Sequence, residues 1–84
     1  MLLSFRQRAW EDYLYWFATD RKTCKRIHTL IAAAQRQPFD GIGKPEPLKG
    51  NLQGLWSRRI DQKHRMIYAA TQEKLIIAQL RHHY

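Results

Sequence analysis

Glu46, Arg65 and His83 are side chains of the kinds needed to cut a strand that carries its own nucleophile. RNA is such a strand. Its 2′-OH can attack the adjacent phosphate without water, metal or a protein nucleophile. The reaction needs a base for the 2′-OH, positive charge on the phosphorane-like transition state and an acid for the departing 5′-oxygen. Glu46, Arg65 and His83 suit those tasks in that order. Lys49, Arg58 and Arg59 could hold phosphates, and the fork of an arginine matches phosphate oxygens. Tyr84 could stack on a base or donate a hydrogen bond to phosphate. Each residue also has a plainer reading. Glu46 could be a solvated loop carboxylate, the arginines solvent cover on a sheet, and His82-His83-Tyr84 a frayed tail.

Charge favours the first reading. Fifteen Lys and Arg face seven Asp and Glu, a net +8 on 84 residues. Self-repulsion of that size costs stability, so it points to a polyanionic partner, although charge alone also keeps a small protein soluble. The length fits one domain spanning residues 1–84, and the 44% hydrophobic share is that of a folded chain. A single Cys allows no internal disulfide and fits a reducing compartment. Met1-Leu2-Leu3-Ser4-Phe5 lacks the charged and apolar regions of a signal peptide. No apolar run approaches the ~18 residues of a membrane span. These features predict a cytoplasmic protein with no membrane partner.

The elements that must position the chemistry can be read from periodicity. Leu2 to Phe5 reads as an edge strand. Arg6 to Thr19 has helical spacing, with Trp10, Tyr13, Leu14 and Phe17 as the apolar stripe. Asp20 suits the cap of a second helix, Arg21 to Gln37, whose stripe is Cys24, Ile27, Leu30, Ile31 and Ala34 and which Pro38 ends. The tight junction at Asp20 implies an antiparallel hairpin. All four Gly and all three Pro lie between Pro38 and Gly54. Glu46 stands between two prolines, and the stiffness they impose predicts an ordered loop that presents it. Leu55–Ile60, His64–Ala70 and Leu75 to about His82 read as three strands. The result is an α+β fold: an N-terminal strand and a two-helix antiparallel hairpin packed on a twisted antiparallel β-sheet.

Strand alternation refines the site. On the last strand Ile76, Ala78 and Leu80 are expected to share one face, and Gln79, Arg81 and His83 the other. Met66 and Tyr68 suit the core, which turns Arg65 outward. A three-residue turn pairing Ile60 with His64 would set Arg59 opposite Arg65, a repulsive pair that an anion could bridge. A one-residue slip would reverse this placement. Adjacent His82 and His83 on a strand would point to opposite faces, so no metal site is expected. His28 and His64 read as structural or solvated, and Cys24 as a buried filler. Trp10, Trp16 and Tyr13 read as core or helix-packing residues.

The order of these residues adds a further signal. Gly43-Lys44-Pro45-Glu46-Pro47-Leu48-Lys49, Leu55-Trp56-Ser57-Arg58-Arg59-Ile60, His64-Arg65-Met66-Ile67-Tyr68 and Arg81-His82-His83-Tyr84 follow one another along the chain. Together with Trp10-Glu11-Asp12-Tyr13-Leu14-Tyr15-Trp16 and Pro38-Phe39, this order resembles the YoeB toxins of the RelE-like superfamily across essentially the whole sequence. His82, Arg6 and Arg8 depart from the pattern, which bears on surface contacts and not on the chemistry. The resemblance implies a ribosome-dependent, metal-independent endoribonuclease without cofactor that cleaves messenger RNA in the A site. It implies Glu46 as general base, His83 as general acid and Arg65 as transition-state clamp, supported by Lys49, Arg59 and Tyr84. It also implies a cognate antitoxin whose acidic, partly disordered C-terminal segment folds against the toxin, and a +8 surface suits such a partner. A homodimer is open, since small sheets often pair. Two other readings remain: a non-catalytic RNA-binding module, which would need the basic face alone, and a degenerate toxin that acts with its antitoxin as a transcriptional co-repressor.

Overall fold

A computed structural model describes residues 1–83, and Tyr84 lies outside the described residues. The chain runs β1 (Leu2–Phe5), α1 (Gln7–Thr19), α2 (Arg21–Arg36), β2 (Glu46–Pro47), a 3₁₀ turn (Gly50–Leu52), β3 (Trp56–Arg59), β4 (Arg65–Ala70) and β5 (Lys74–Gln79). The five strands form one sheet in the order β1-β5-β4-β3-β2. β1 is an edge strand, as its short apolar run predicts. Its pairing with β5 is parallel, Leu2 opposite Lys74, so the sheet is mixed and not wholly antiparallel. The chain reaches this arrangement because the helical hairpin carries it across one sheet face between β1 and the meander.

α2 forms as its sequence dictates. The Asp20 carboxylate accepts from the Thr23 N–H at 3.0 Å and from the Thr23 hydroxyl at 2.8 Å. Those bonds hold its pKa below the ordinary value. The stripe Cys24, Ile27, Leu30, Ile31 and Ala34 is buried, each large aliphatic side chain contributing ~1.5–3 kcal/mol over an exposed one. It packs on Met66, Tyr68, Leu75, Ile77 and Leu80 of the sheet side.

α1 buries a different face from the one its apolar spacing predicts. Ala9, Asp12 and Trp16 face inward. Trp10, Leu14 and Phe17 are 45%, 46% and 46% exposed. Asp12 goes inside because its carboxylate accepts the Leu80 N–H at 3.0 Å and meets Arg8 Nε at 3.2 Å. Trp16 Nε1 donates to the Leu80 carbonyl at 2.8 Å. α1 therefore grips both main-chain groups of one residue just beyond β5. The outer ring cluster is stabilised by its own stacking, Trp10 on Tyr13 at 5.5 Å and Tyr13 on Phe17 at 6.3 Å.

β5 also departs from simple alternation. Leu75 and Ile77 enter the core, whereas Ile76 and Ala78 stay half-buried. Tyr68 pairs with Ile77 while Ile67 pairs with Gln79, so Ala78 is an extra residue in a bulge. The bulge resets the phase, and Leu80 is again buried.

Candidate active site

The loop from Pro38 to Gly43 is ordered, and Arg58 is the reason. Arg58 is fully buried. Its guanidinium donates to the carbonyls of Gln37, Asp40 and Ile42, and its Nε donates to the Tyr68 hydroxyl at 3.0 Å. Tyr68 in turn donates to the Pro38 carbonyl at 2.6 Å, and burial pushes its pKa up, so the hydroxyl keeps its proton. The Gln37 carbonyl lies at the C-cap of α2, where the helix dipole favours a cation. Gly43 completes the junction: its carbonyl accepts the Arg59 N–H at 2.7 Å with φ at +84°. A Cβ there would stand 2.8 Å from Leu30 Cδ2. Arg58 is thus committed to the fold and cannot serve as a phosphate ligand. Alternation contains that answer, since an outward Arg59 sends Arg58 inward beside Met66.

The ladder registers bring the other residues together. Glu46 lies opposite Ser57, Ser57 opposite Ile67, and Ile67 opposite Gln79. These four form one row across the sheet, on the face away from the helices. Arg59 lies opposite Arg65, and Ile60 donates to the His64 carbonyl at 3.0 Å, the register that a three-residue turn predicts. The arginine pair is two residues along from the Glu46 row and so shares its face. With strands ~4.8 Å apart, two strand spacings and two residues separate Glu46 from Arg65, about 10–12 Å between their backbones. Lys49 follows β2, exposed beside a shallow depression lined by Glu46, Pro47, Leu48 and Leu52.

Arg65 is on the outer face yet largely covered. One terminal nitrogen, Nη1, donates to the carbonyls of Asp61 at 2.7 Å, Gln62 at 3.2 Å and His64 at 3.1 Å. This ties the guanidinium to the β3–β4 turn. Among the described residues, Nε and Nη2 make no hydrogen bond. Arg59 is exposed, and so are Glu46 and His83.

His82 and His83 are not on a strand. β5 ends at Gln79, and His82 has φ +70°, the left-handed region. The tail bends back. Gln79 Nε2 donates to the Arg81 carbonyl at 2.7 Å and to the His83 carbonyl at 3.3 Å. The Arg65 N–H donates to the His82 carbonyl at 3.0 Å, which brings His83 beside Arg65. Tyr84, a further sequence candidate, falls outside the described residues. Sequence reasoning places Trp16 in the core, where it lies, but reveals neither its bond to Leu80 nor the roles of Gln79 and Asp12, because these are bonds to main-chain atoms 64 to 68 residues away or across a bend.

The comparisons with known proteins agree with this architecture. The profile of the YoeB-like toxin of bacterial type II toxin–antitoxin systems matches residues 5–84. A Streptomyces coelicolor protein named toxin YoeB is 55% identical over 84 residues, covering 100% of both chains. A YoeB/ParE toxin from Agrobacterium tumefaciens superposes with a TM-score of 0.96 at 44% identity over 100% of both chains. Staphylococcus aureus YoeB has been solved in a heterotetrameric complex with the antitoxin YefM, with a TM-score of 0.91 and 41% identity over 100% of this chain and 99% of that one. It has also been solved as a dimer, with a TM-score of 0.93 and 40% identity over 100% of this chain and 98% of that one. The chain belongs to the YoeB toxins of bacterial type II toxin–antitoxin systems.

Proposed function

We propose that the chain is a ribosome-dependent endoribonuclease that cleaves messenger RNA by metal-independent attack of the 2′-OH. Glu46 takes the 2′-OH proton, Arg65 steadies the charge on phosphorus and His83 protonates the leaving 5′-oxygen. Lys49 and Arg59 hold flanking phosphates, and Tyr84 supports the same step. The observation that supports this reading is the shared outer face: Glu46, Arg59 and Arg65 lie on it by register, and the Arg65–His82 bond carries His83 to its edge. Among the described residues the site is an open sheet surface with a shallow depression beside Glu46. In-line attack needs collinear atoms, and positioning can supply ~7–11 kcal/mol. On so open a surface the ribosome supplies that geometry.

Cleavage of ribosome-bound messenger is therefore expected to persist in excess EDTA and to leave a 2′,3′-cyclic or 3′-phosphate end. Free RNA is expected to be cut far more slowly. A 5′-phosphate product, or activity that chelation abolishes and a divalent ion restores, would overturn the mechanism. A chain that binds RNA without cutting it would favour the binding-module reading instead. Phosphate contacts are tested separately. Lys49→Ala and Arg59→Ala should each lower ribosome affinity and flatten its salt dependence, with the slope falling by about one per lost contact. Slopes equal to wild type in both would remove these residues from the site.

The proposed partner is an antitoxin of YefM type. The +8 charge suits its acidic segment, and the apolar edge of Leu2, Leu3, Trp10, Leu14 and Phe17 offers area for partner contact. A homodimer, as solved for the Staphylococcus aureus protein, could use the same kind of area. No described helix is long and apolar enough to cross a membrane.

A further inference from the structure

The tail that carries His83 is held by a ring outside the proposed catalytic set. The His82 N–H donates to His64 Nδ1 at 2.7 Å, and the His82 carbonyl accepts from the Arg65 N–H at 3.0 Å. The His64 ring stands edge-on to the buried Trp16, 4.9 Å between centroids and 81° between planes. Trp16 and Asp12 fix the carbonyl and N–H of Leu80. Both main-chain groups of Leu80 and of His82 are thereby anchored. Between the anchors the backbone turns through a left-handed φ of +70° at His82, which a residue with a side chain adopts when its surroundings impose it.

We propose that His64 is a positioning residue: its imidazole, accepting the His82 N–H through Nδ1, imposes the turn that presents His83 beside Arg65. The proposal rests on the reading of His83 as the acid. Acceptance at Nδ1 requires a neutral ring with its proton on Nε2. Burial against Trp16 is the main force that keeps the ring neutral, holding its pKa below 6.5. Lys63, His82 and Arg81 push the same way, and the Asp61 carboxylate opposes them. The sign follows. A histidine with a depressed folded pKa gives its full stabilisation above the ordinary value of 6.5, and loses it as pH falls through the lower folded value. The tail is clamped at neutral pH and released by acid.

The test uses the full chain with His64→Phe, which keeps a ring on Trp16 but has no acceptor, and His64→Asn, whose Oδ1 can accept and cannot be protonated. In amide NMR spectra of the wild type, the His82 N–H should be downfield and exchange-protected at neutral pH, and should lose both properties reversibly in acid. In His64→Asn the amide should stay downfield across the same range. In His64→Phe it should be shifted at every pH. Single-turnover cleavage on saturating ribosomes should fall about 10- to 100-fold in His64→Phe, with little change in half-saturating ribosome concentration. His64→Asn should restore the rate to within about threefold. A His82 amide that ignores both substitutions and pH overturns the proposal, as does wild-type cleavage by His64→Phe. If His64→Phe does not fold, the contrast between wild type and His64→Asn in acid still decides. If the wild type itself does not cleave, the catalytic reading fails, while the amide still reports on the clamp.

Discussion

His83→Gln is expected to slow single-turnover cleavage of ribosome-bound messenger by about 10²- to 10⁴-fold while leaving ribosome affinity nearly unchanged. The proton that His83 is proposed to supply is needed only as the 5′-oxygen leaves, so its loss raises the barrier and not the binding energy. The placement of the residue supports this split. His83 is exposed at the end of a tail whose main chain is held by Gln79 and, one residue earlier, by Arg65, so the substitution changes a side chain and leaves those anchors in place. Glu46→Gln should behave alike, with a smaller loss if Tyr84 or the ribosome accepts part of the proton transfer. A His83→Gln rate within a few-fold of wild type would mean that another group protonates the leaving oxygen.

Arg58→Met is expected to cost about 3 kcal/mol or more of stability, read as a lower midpoint of urea unfolding. Met fills much of the volume but removes the donors to the buried Tyr68 hydroxyl and to the part-buried carbonyls of Gln37, Asp40 and Ile42, and a buried acceptor left unpaired costs ~1–3 kcal/mol. A domain of this size holds ~5–15 kcal/mol in all, so much of its margin would go. Arg59→Met, one residue on and exposed, should change stability by no more than ~0.5 kcal/mol. If Arg58→Met kept its midpoint and lost only RNA affinity, the buried arginine would be a phosphate ligand after all.

The sequence was most legible where one local rule acts alone. α2 is capped by Asp20 and buries the stripe that a 3.6-residue period predicts, because its whole inner face meets one sheet. The Arg59–Arg65 pairing follows from turn length and a fixed two-residue alternation. Reading failed where a distant partner decided. Asp12 is polar and would be placed in solvent, yet the Leu80 N–H draws it inside and turns Trp10, Leu14 and Phe17 outward. The bulge at Ala78 leaves no mark in composition, since an extra residue in a strand looks like any other. The parallel pairing of β1 is a property of the whole path of the chain. Arg58 is a different case: two adjacent arginines on a strand cannot both face out, and the alternation that placed Arg59 outside was enough to place Arg58 inside.

The position of β5 has a consequence for how the molecule comes into being. It lies between β1 and β4, yet it is the last of the five strands to be synthesised. Until residues 74–79 emerge, the helices and the β3–β4 hairpin surround an empty slot, and β1 has no neighbour to pair with. Contacts between such distant parts of a chain form late and set the pace of folding. The slot must fill before Leu80 can be gripped by α1 and before the tail can reach Arg65. A nascent chain that has not yet released residues 74–79 therefore carries Glu46 and Arg65 while the proposed cutting surface still lacks His83.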